Sequence, residues 1–296
     1  MRKRLADLCG VDTEIYQAGM GGVAGPQLAA AVSNAGGFGH LGCIRRSAAD
    51  VRSWIHETRS LTDRPFGVNL VPMGPGPDGF ESQLSVVLEE KPKVLSLFWG
   101  DLKDAICRAK AVGITTMIQV GSVDEARKAI ASGADILIAQ GVESGGHVRG
   151  NLGLFPFLTA LLKISGETPV LAAGGIADRK GVQAIMELGA AGAWVGTKFV
   201  ATTESLAHDI YKERLVEAET DDTVHGHFYS YGWPIGTPYR VIPPKKRTWL
   251  RFVAGGARRM DKKHQAAGLS LYAGQGVGLI NNVVSARDAV AELSGK

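Results

Sequence analysis

The feature that most limits what this chain can fold into is an alternation that repeats across its first two thirds. Short, continuously apolar runs recur at Thr13–Ala18, Gly36–Gly42, Pro65–Leu70, Lys93–Phe98, Ile114–Gln119, Ala134–Gln140, Thr168–Ala173 and Ala191–Gly196. Apolar runs without polar alternation are what strands buried on both faces require. Between them, apolar residues recur at helical spacing over Pro26–Ala35, Ala48–Arg59, Gly79–Glu90, Leu102–Val112, Val123–Ser132, Leu154–Ile164, Arg179–Leu188 and Ser205–Glu217. Ser122 and Glu125 read as a capping box that starts one of these helices. Gly113, Gly133 and Gly189 stand just past helix ends, where a left-handed residue is favoured. Strands alternating with helices argue a parallel sheet with crossover helices. Eight such units are the count of a closed TIM (β/α)8 barrel of the α/β class. An open doubly wound sheet is the runner-up, with fewer strands.

After residue 218 the rhythm breaks. The stretch Glu219–Gln265 holds Gly232-Trp233-Pro234, Gly236-Thr237-Pro238 and Pro243-Pro244, then the basic residues Lys245, Lys246, Arg247, Arg251, Arg258, Arg259, Lys262 and Lys263. It reads as a smaller, mostly helical insertion near the C-terminus. The expected organisation is a barrel from 1–218 and 266–296 with a cap over 219–265. The basic run is a solvated face or, more sharply, a patch for an anionic partner. A net charge of +4 over 296 residues is too small to argue a nucleic-acid partner. Cys9, Cys43 and Cys107 lie far apart, with no CxxC pair. That pattern disfavours a zinc site or a disulfide framework and suggests a reducing, cytoplasmic setting. The basic opening Met1–Arg4 has no apolar stretch behind it, and no run reaches the ~18 apolar residues of a membrane span. Neither a signal peptide nor a membrane partner is therefore expected.

In a barrel of this kind the site lies at the carboxyl ends of the strands. There the sequence offers Met20 and Gly21, then Asn69 and Gln119, then Gln140 through His147, and finally Gly174-Gly175 and Gly196-Thr197. The two glycine turns follow the seventh and eighth strands, where barrels often hold a phosphate on backbone N–H groups. Asn69, Gln119 and Gln140 each carry a donor and an acceptor suited to a planar heterocycle, or else brace a loop. His147 follows two glycines, and its ordinary pKa near ~6.5 suits proton transfer. Glu143 either orients it or bonds within its loop. His40 is evenly balanced between pocket and core. His225 and His227 lack a carboxylate partner at helical spacing, so a metal reading is disfavoured. The GxSxG elbow and the GxxxxGK[ST] loop are absent, and a Rossmann nicotinamide domain is disfavoured.

Several stretches together resemble a known family. These are Gln17–Gly22, Phe66–Leu70, the Gln-Gly…Gly-Gly-His run of Gln140–His147, the Ala-Ala-Gly-Gly-Ile-Ala-Asp run of Ala172–Asp178, Gly189–Ser205, Trp233-Pro234 and Tyr272–Gly276. The family is that of the nitronate monooxygenases, formerly 2-nitropropane dioxygenases. It includes FMN-dependent enoyl-acyl-carrier-protein reductases and NADH:quinone reductases. The resemblance implies a TIM barrel with non-covalent FMN, contacted by Asn69, Gln140, Gly145, Gly175 and the segment Trp194, Val195, Gly196 and Thr197. Gly196 and Thr197 would hold the phosphate with Gly174 and Gly175, and Met20 and Gly21 would lie against the ring. His147 aligns with the active-site histidine, as base or hydrogen-bond donor. The implied reaction is oxidation of alkyl nitronates by O2 to a carbonyl compound and nitrite. The alternative is reduction of enoyl thioesters or quinones with NADH or NADPH as co-substrate. A homodimer is the candidate assembly. A third reading is a non-enzymatic barrel that binds a phosphate-bearing ligand. The chain departs from the family pattern at Ala18-Gly19, at Ser144, at Val148-Arg149-Gly150, and at Phe98-Trp99-Gly100-Asp101, which lacks a proline common in relatives.

Overall fold

A computed structural model of the chain describes residues 5–74, 76–227, 233–234, 236–244 and 271–296. After a short helix α1 (Leu5–Cys9), strands and helices alternate: β1 (Ile15–Gln17), α2 (Pro26–Asn34), β2 (Gly39–Gly42), α3 (Ala48–Leu61), β3 (Phe66–Leu70), α4 (Gly79–Glu90), β4 (Val94–Phe98), α5 (Lys103–Ala111), β5 (Thr115–Val120), α6 (Val123–Ala131) and β6 (Ile136–Gln140). The chain continues through β7 (Gly146–His147), α7 (Leu154–Ile164), β8 (Val170–Ala173), α8 (Arg179–Glu187), β9 (Gly192–Val195), α9 (Thr197–Val200) and α10 (Asp209–Val216). Then come β10 (Val224–Gly226), β11 (Tyr239–Ile242), β12 (Leu271–Tyr272) and α11 (Ala286–Ser294). The helices start where local chemistry starts them. The Ser47 hydroxyl accepts from the Asp50 N–H at 3.0 Å, and the Asp50 carboxylate accepts from the Ser47 N–H at 3.3 Å. At α6 the Ser122 hydroxyl accepts from Glu125 N–H at 3.2 Å as expected, but Glu125 reaches past Ser122 to the Gly121 N–H at 2.9 Å.

Among the described residues, eight parallel strands run in the order β1-β9-β8-β6-β5-β4-β3-β2. The seam closes between β1 and β2: Gln17 N–H donates to Phe38 O and Phe38 N–H to Ile15 O, both at 2.9 Å. The result is a TIM barrel. Gln17 reinforces the seam, since its side-chain oxygen accepts the His40 N–H at 2.9 Å. Side chains alternate by the two-residue period of a strand. Leu171, Ala173 and Trp194 fill the barrel interior with Phe38 and Met117, while Val170, Ala172, Ala193 and Val195 pack outwards against the helices.

A second, antiparallel sheet stands where the sequence reads as mostly helical. β11 pairs with β10 on one side, and with both β7 and β12 on the other. Of the stretch 219–265, the described residues thus form a short 3-10 turn and two strands. The basic run and the helix expected to carry it fall on 245–270, outside the described residues. No helix among the described residues is long and apolar enough to cross a membrane.

His40 lies in the interior rather than in a pocket. It is fully buried, with its ring 4.9 Å from that of Phe38 and 4.5 Å from that of Trp194. A Cβ on Gly67 would sit 2.4 Å from the imidazole, so glycine there makes the room. Neither ring nitrogen has a partner, and burial pushes the pKa down to about 3. An unfolded chain takes up this proton below its ordinary value near ~6.5, whereas the folded chain does not until about 3. His40 therefore costs no stability above that ordinary value and a growing amount as pH falls towards the folded value, about 1.4 kcal/mol per pH unit. We expect Tm to fall less steeply between about pH 6.5 and 4.5 in His40→Asn than in the wild type, by thermal unfolding in matched buffers. Parallel curves would show that this histidine does not control acid stability.

Candidate active site

The strand ends and the second sheet enclose a cleft of about 1700 Å3, open mouth included. A concave cleft at the strand ends is where a barrel places a small-molecule or cofactor site. Met20, Gly21, Asn69, Gln119, Gln140 and Gly145 line it, as do His147, Gly174, Gly175, Trp194, Gly196 and Thr197. Val195 is the exception among the residues singled out from sequence. Strand alternation turns its side chain towards the helices, and only its carbonyl works locally, accepting the Ala18 N–H at 2.8 Å.

One end of the cleft is made of backbone. Gly174 and Gly175 have φ of +123° and +70°, the left-handed half of backbone space that side chains avoid. A Cβ on Gly196 would meet nothing nearer than Met20 Sδ at 3.6 Å, so the space over this turn is open. The Thr197 hydroxyl accepts the Gly274 N–H at 3.0 Å, which leaves its own proton to donate. Asn69 gives its amide N–H to the Ser96 hydroxyl at 3.0 Å, leaving its carbonyl oxygen for a ligand.

His147 is built in by β7. Its Nδ1 is 3.3 Å from Pro238 O, and its Nε2 is 3.0 Å from the Tyr272 hydroxyl. A carbonyl can only accept, so Nδ1 carries the proton and Nε2 takes the hydrogen bond that Tyr272 donates. Trp233 covers one face of the ring, with centroids 4.0 Å apart and planes 35° apart. Burial, helped by the charge of Arg45 and opposed by Pro238 O, pushes the imidazole down to about 3. His147 is thus a neutral imidazole across the physiological range.

Several sequence readings resolve here. Gln140 uses both ends of its amide on the loop, donating to His147 O and accepting from the Arg149 N–H, each at 2.9 Å. Glu143 does not orient His147; both its oxygens accept the Leu154 N–H at 3.0 Å, at the start of α7. Arg149, in the departure from the family pattern, pairs with Glu125 at 2.5 Å. The rings of His225 and His227 are 5.5 Å apart, and no group of three or more His, Cys, Asp or Glu among the described residues is placed to hold a metal. Sequence reasoning did not assign Tyr272, Trp233 or Arg45 to the site, although all three line it. Tyr272 stands 125 residues from His147, so no local spacing signals their contact.

The residues fit FMN: an open cradle with left-handed glycines and a free threonine proton at one end, and amides and an aromatic wall at the other. Comparisons with known proteins agree. The family model described as nitronate monooxygenase matches residues 2–78 and 74–230. A nitronate monooxygenase of Paraburkholderia phytofirmans is 37% identical over 260 residues, covering 73% of this chain and 70% of that protein. A (3aS,4S,5R,7aS)-5-hydroxy-7a-methyl-1-oxo-octahydro-1H-indene-4-carboxyl-CoA dehydrogenase of Rhodococcus jostii is 34% identical, covering 82% of this chain but only 66% of that protein. Among solved structures, FabK from Thermotoga maritima matches with a TM-score of 0.87 at 34% identity, covering 99% of this chain and 95% of that one. A nitroalkane oxidase from Streptomyces ansochromogenes matches with a TM-score of 0.84 at 30% identity, covering 98% and 96%. The chain therefore belongs to the nitronate monooxygenase family and is an oxidoreductase of its flavin-dependent kind.

Proposed function

We propose that the chain is a cytoplasmic FMN-dependent enzyme that oxidises alkyl nitronates with O2 to a carbonyl compound and nitrite. The observation that carries this reading is the state of His147. With Nδ1–H on Pro238 O and Nε2 taking the Tyr272 O–H, both protons of the pair are held in bonds within the chain. Reduction of an enoyl thioester needs a proton delivered to carbon; oxidation of a nitronate, already deprotonated, does not. A weakly basic His147 also favours the nitronate anion over the neutral nitroalkane, whose proton it is poorly placed to take. Arg45 supplies positive charge at the same end of the cleft.

FMN, when bound, supplies the electron acceptor that nitronate oxidation needs and that O2 restores. The backbone of Gly174, Gly175 and Gly196 with the Thr197 hydroxyl would hold its phosphate. Asn69, Gln119 and Met20 would border its ring, and Gln140 would hold the loop that carries His147. Of the proposed cap, β11 reaches this end through its pairing with β7.

A second reading, NADH- or NADPH-dependent reduction of an enoyl thioester or quinone, is favoured by the likeness to FabK and to a relative named for a carboxyl-CoA substrate. Anaerobic flavin absorbance separates the two. Alkyl nitronate is expected to bleach the flavin, and NADH or NADPH to leave it oxidised; the reverse pattern would sink the oxidase reading. With preformed nitronate, kcat/KM is expected to stay flat between about pH 6 and 9, because His147 gains its proton only near about 3. A limb near the ordinary histidine pKa of ~6.5 would show that His147 titrates in the cycle. Gly175→Val forces a β-branched residue to φ +70° and should lower the flavin-to-protein ratio after dialysis about tenfold or more. An undiminished ratio would place the phosphate elsewhere.

A further inference from the structure

One aromatic stack crosses the mouth of the cleft and has no part in the chemistry above. The Trp233 ring lies over His147 at 4.0 Å, and the Trp99 ring lies against Trp233 at 5.5 Å. Arg149 places its guanidinium 4.7 Å from the centre of the Trp99 ring, and Glu125 holds that guanidinium from the first turn of α6. The stack joins the ends of β4, β5 and β6 to the segment that leads into β11.

This is not core packing. Both indoles are only half buried, and Arg149 is exposed. Trp99 has φ +66°, a left-handed conformation that a bulky residue rarely adopts. Strained positions of this kind persist where the surroundings over-determine them, and they gather at sites. A Cβ on Gly150 would lie 1.9 Å from Gly121 O, so the turn that leads into α6 and the loop that carries Arg149 touch backbone to backbone.

We propose that Trp99 and Arg149 are positioning residues that latch Trp233 over His147 and make the cleft selective for unbranched nitronates; the proposal deepens the nitronate reading and rests on it. Trp233 closes one face of the imidazole, Pro238 O closes its Nδ1 edge, and the Nε2 edge meets Tyr272. Trp233 lines the cleft beside this pair, so a flat group that reaches the pair would pass the indole. A second carbon substituent on the nitronate carbon widens that plane and meets Trp233.

The test compares the nitronates of 1-nitropropane and 2-nitropropane, equal in composition and different in branching. Wild type is expected to favour the unbranched nitronate in kcat/KM by about tenfold or more. In Trp99→Ala and Arg149→Met that ratio should fall towards one, mainly through KM for the branched substrate. Trp99→Phe, which keeps a stacking ring, should restore it. Flavin content and Tm are measured beside each variant, so that a folding defect is seen as such. Calorimetric binding of butyrate and isobutyrate repeats the comparison without redox chemistry. If nitronates fail to bleach the flavin but the butyrate-to-isobutyrate ratio still collapses in Trp99→Ala, the latch stands and the nitronate reading falls. An unselective wild type, or an unchanged ratio in a folded, flavin-loaded Trp99→Ala, overturns the latch.

Discussion

The candidate site depends on two backbone pairs, His147 with Tyr239 and Gly146 with Arg240, where β7 meets β11. They pull the loop after β6 out of the barrel and into the second sheet. Pro238 O then accepts both the Val148 N–H at 3.0 Å and the His147 ring. The same strand, β11, pairs with β12 and so delivers the Tyr272 hydroxyl to Nε2. One short pairing thus sets the tautomer, the burial and the low proton affinity of His147 together. Without it the ring would regain water and return towards its ordinary pKa.

The cleft separates two kinds of electrostatics. At the glycine end no lysine or arginine among the described residues lines the wall. Lys198, next to Thr197, turns away and pairs with Glu292 at 2.6 Å. A phosphate there would be held by oriented N–H dipoles and a hydroxyl, a neutral cradle suited to a resident cofactor. The cations stand at the other end, where Arg45 and Arg46 line the mouth. Arg46 lies 3.9 Å over the Trp54 ring, and its carbonyl accepts from the Gln83 amide at 2.7 Å, which holds the loop after β2 in place. Among the described residues, the cationic side chains at the cleft wall are thus Arg45 and Arg46.

Much of the fold was legible in the chain. α4 and α7 run over Gly79–Glu90 and Leu154–Ile164, the spans read from spacing alone, and the strands fall inside or within a residue of their apolar runs. Local signals suffice there, because hydrophobic period and end-capping act within a few residues of each other. They fail where a side chain serves a distant backbone. Gln140 and Glu143 look like ligands or catalytic partners from their place after β6, yet their polar atoms are taken by N–H and C=O groups of the following loop and of α7. Val195 sits in a segment read as cofactor-binding, but strand alternation turns it outwards.

The sequence by itself determined the barrel, the end of it that carries the site, the glycine turns and His147. Each of these is written in short-range period, spacing or residue type. Tertiary structure alone decided the protonation state of His147, its partnership with Tyr272, the Trp99–Trp233–Arg149 stack and the interior fate of His40. Those outcomes depend on burial and on contacts between residues far apart in the chain. Desolvation and stacking are properties of the assembled neighbourhood, and no local pattern encodes them.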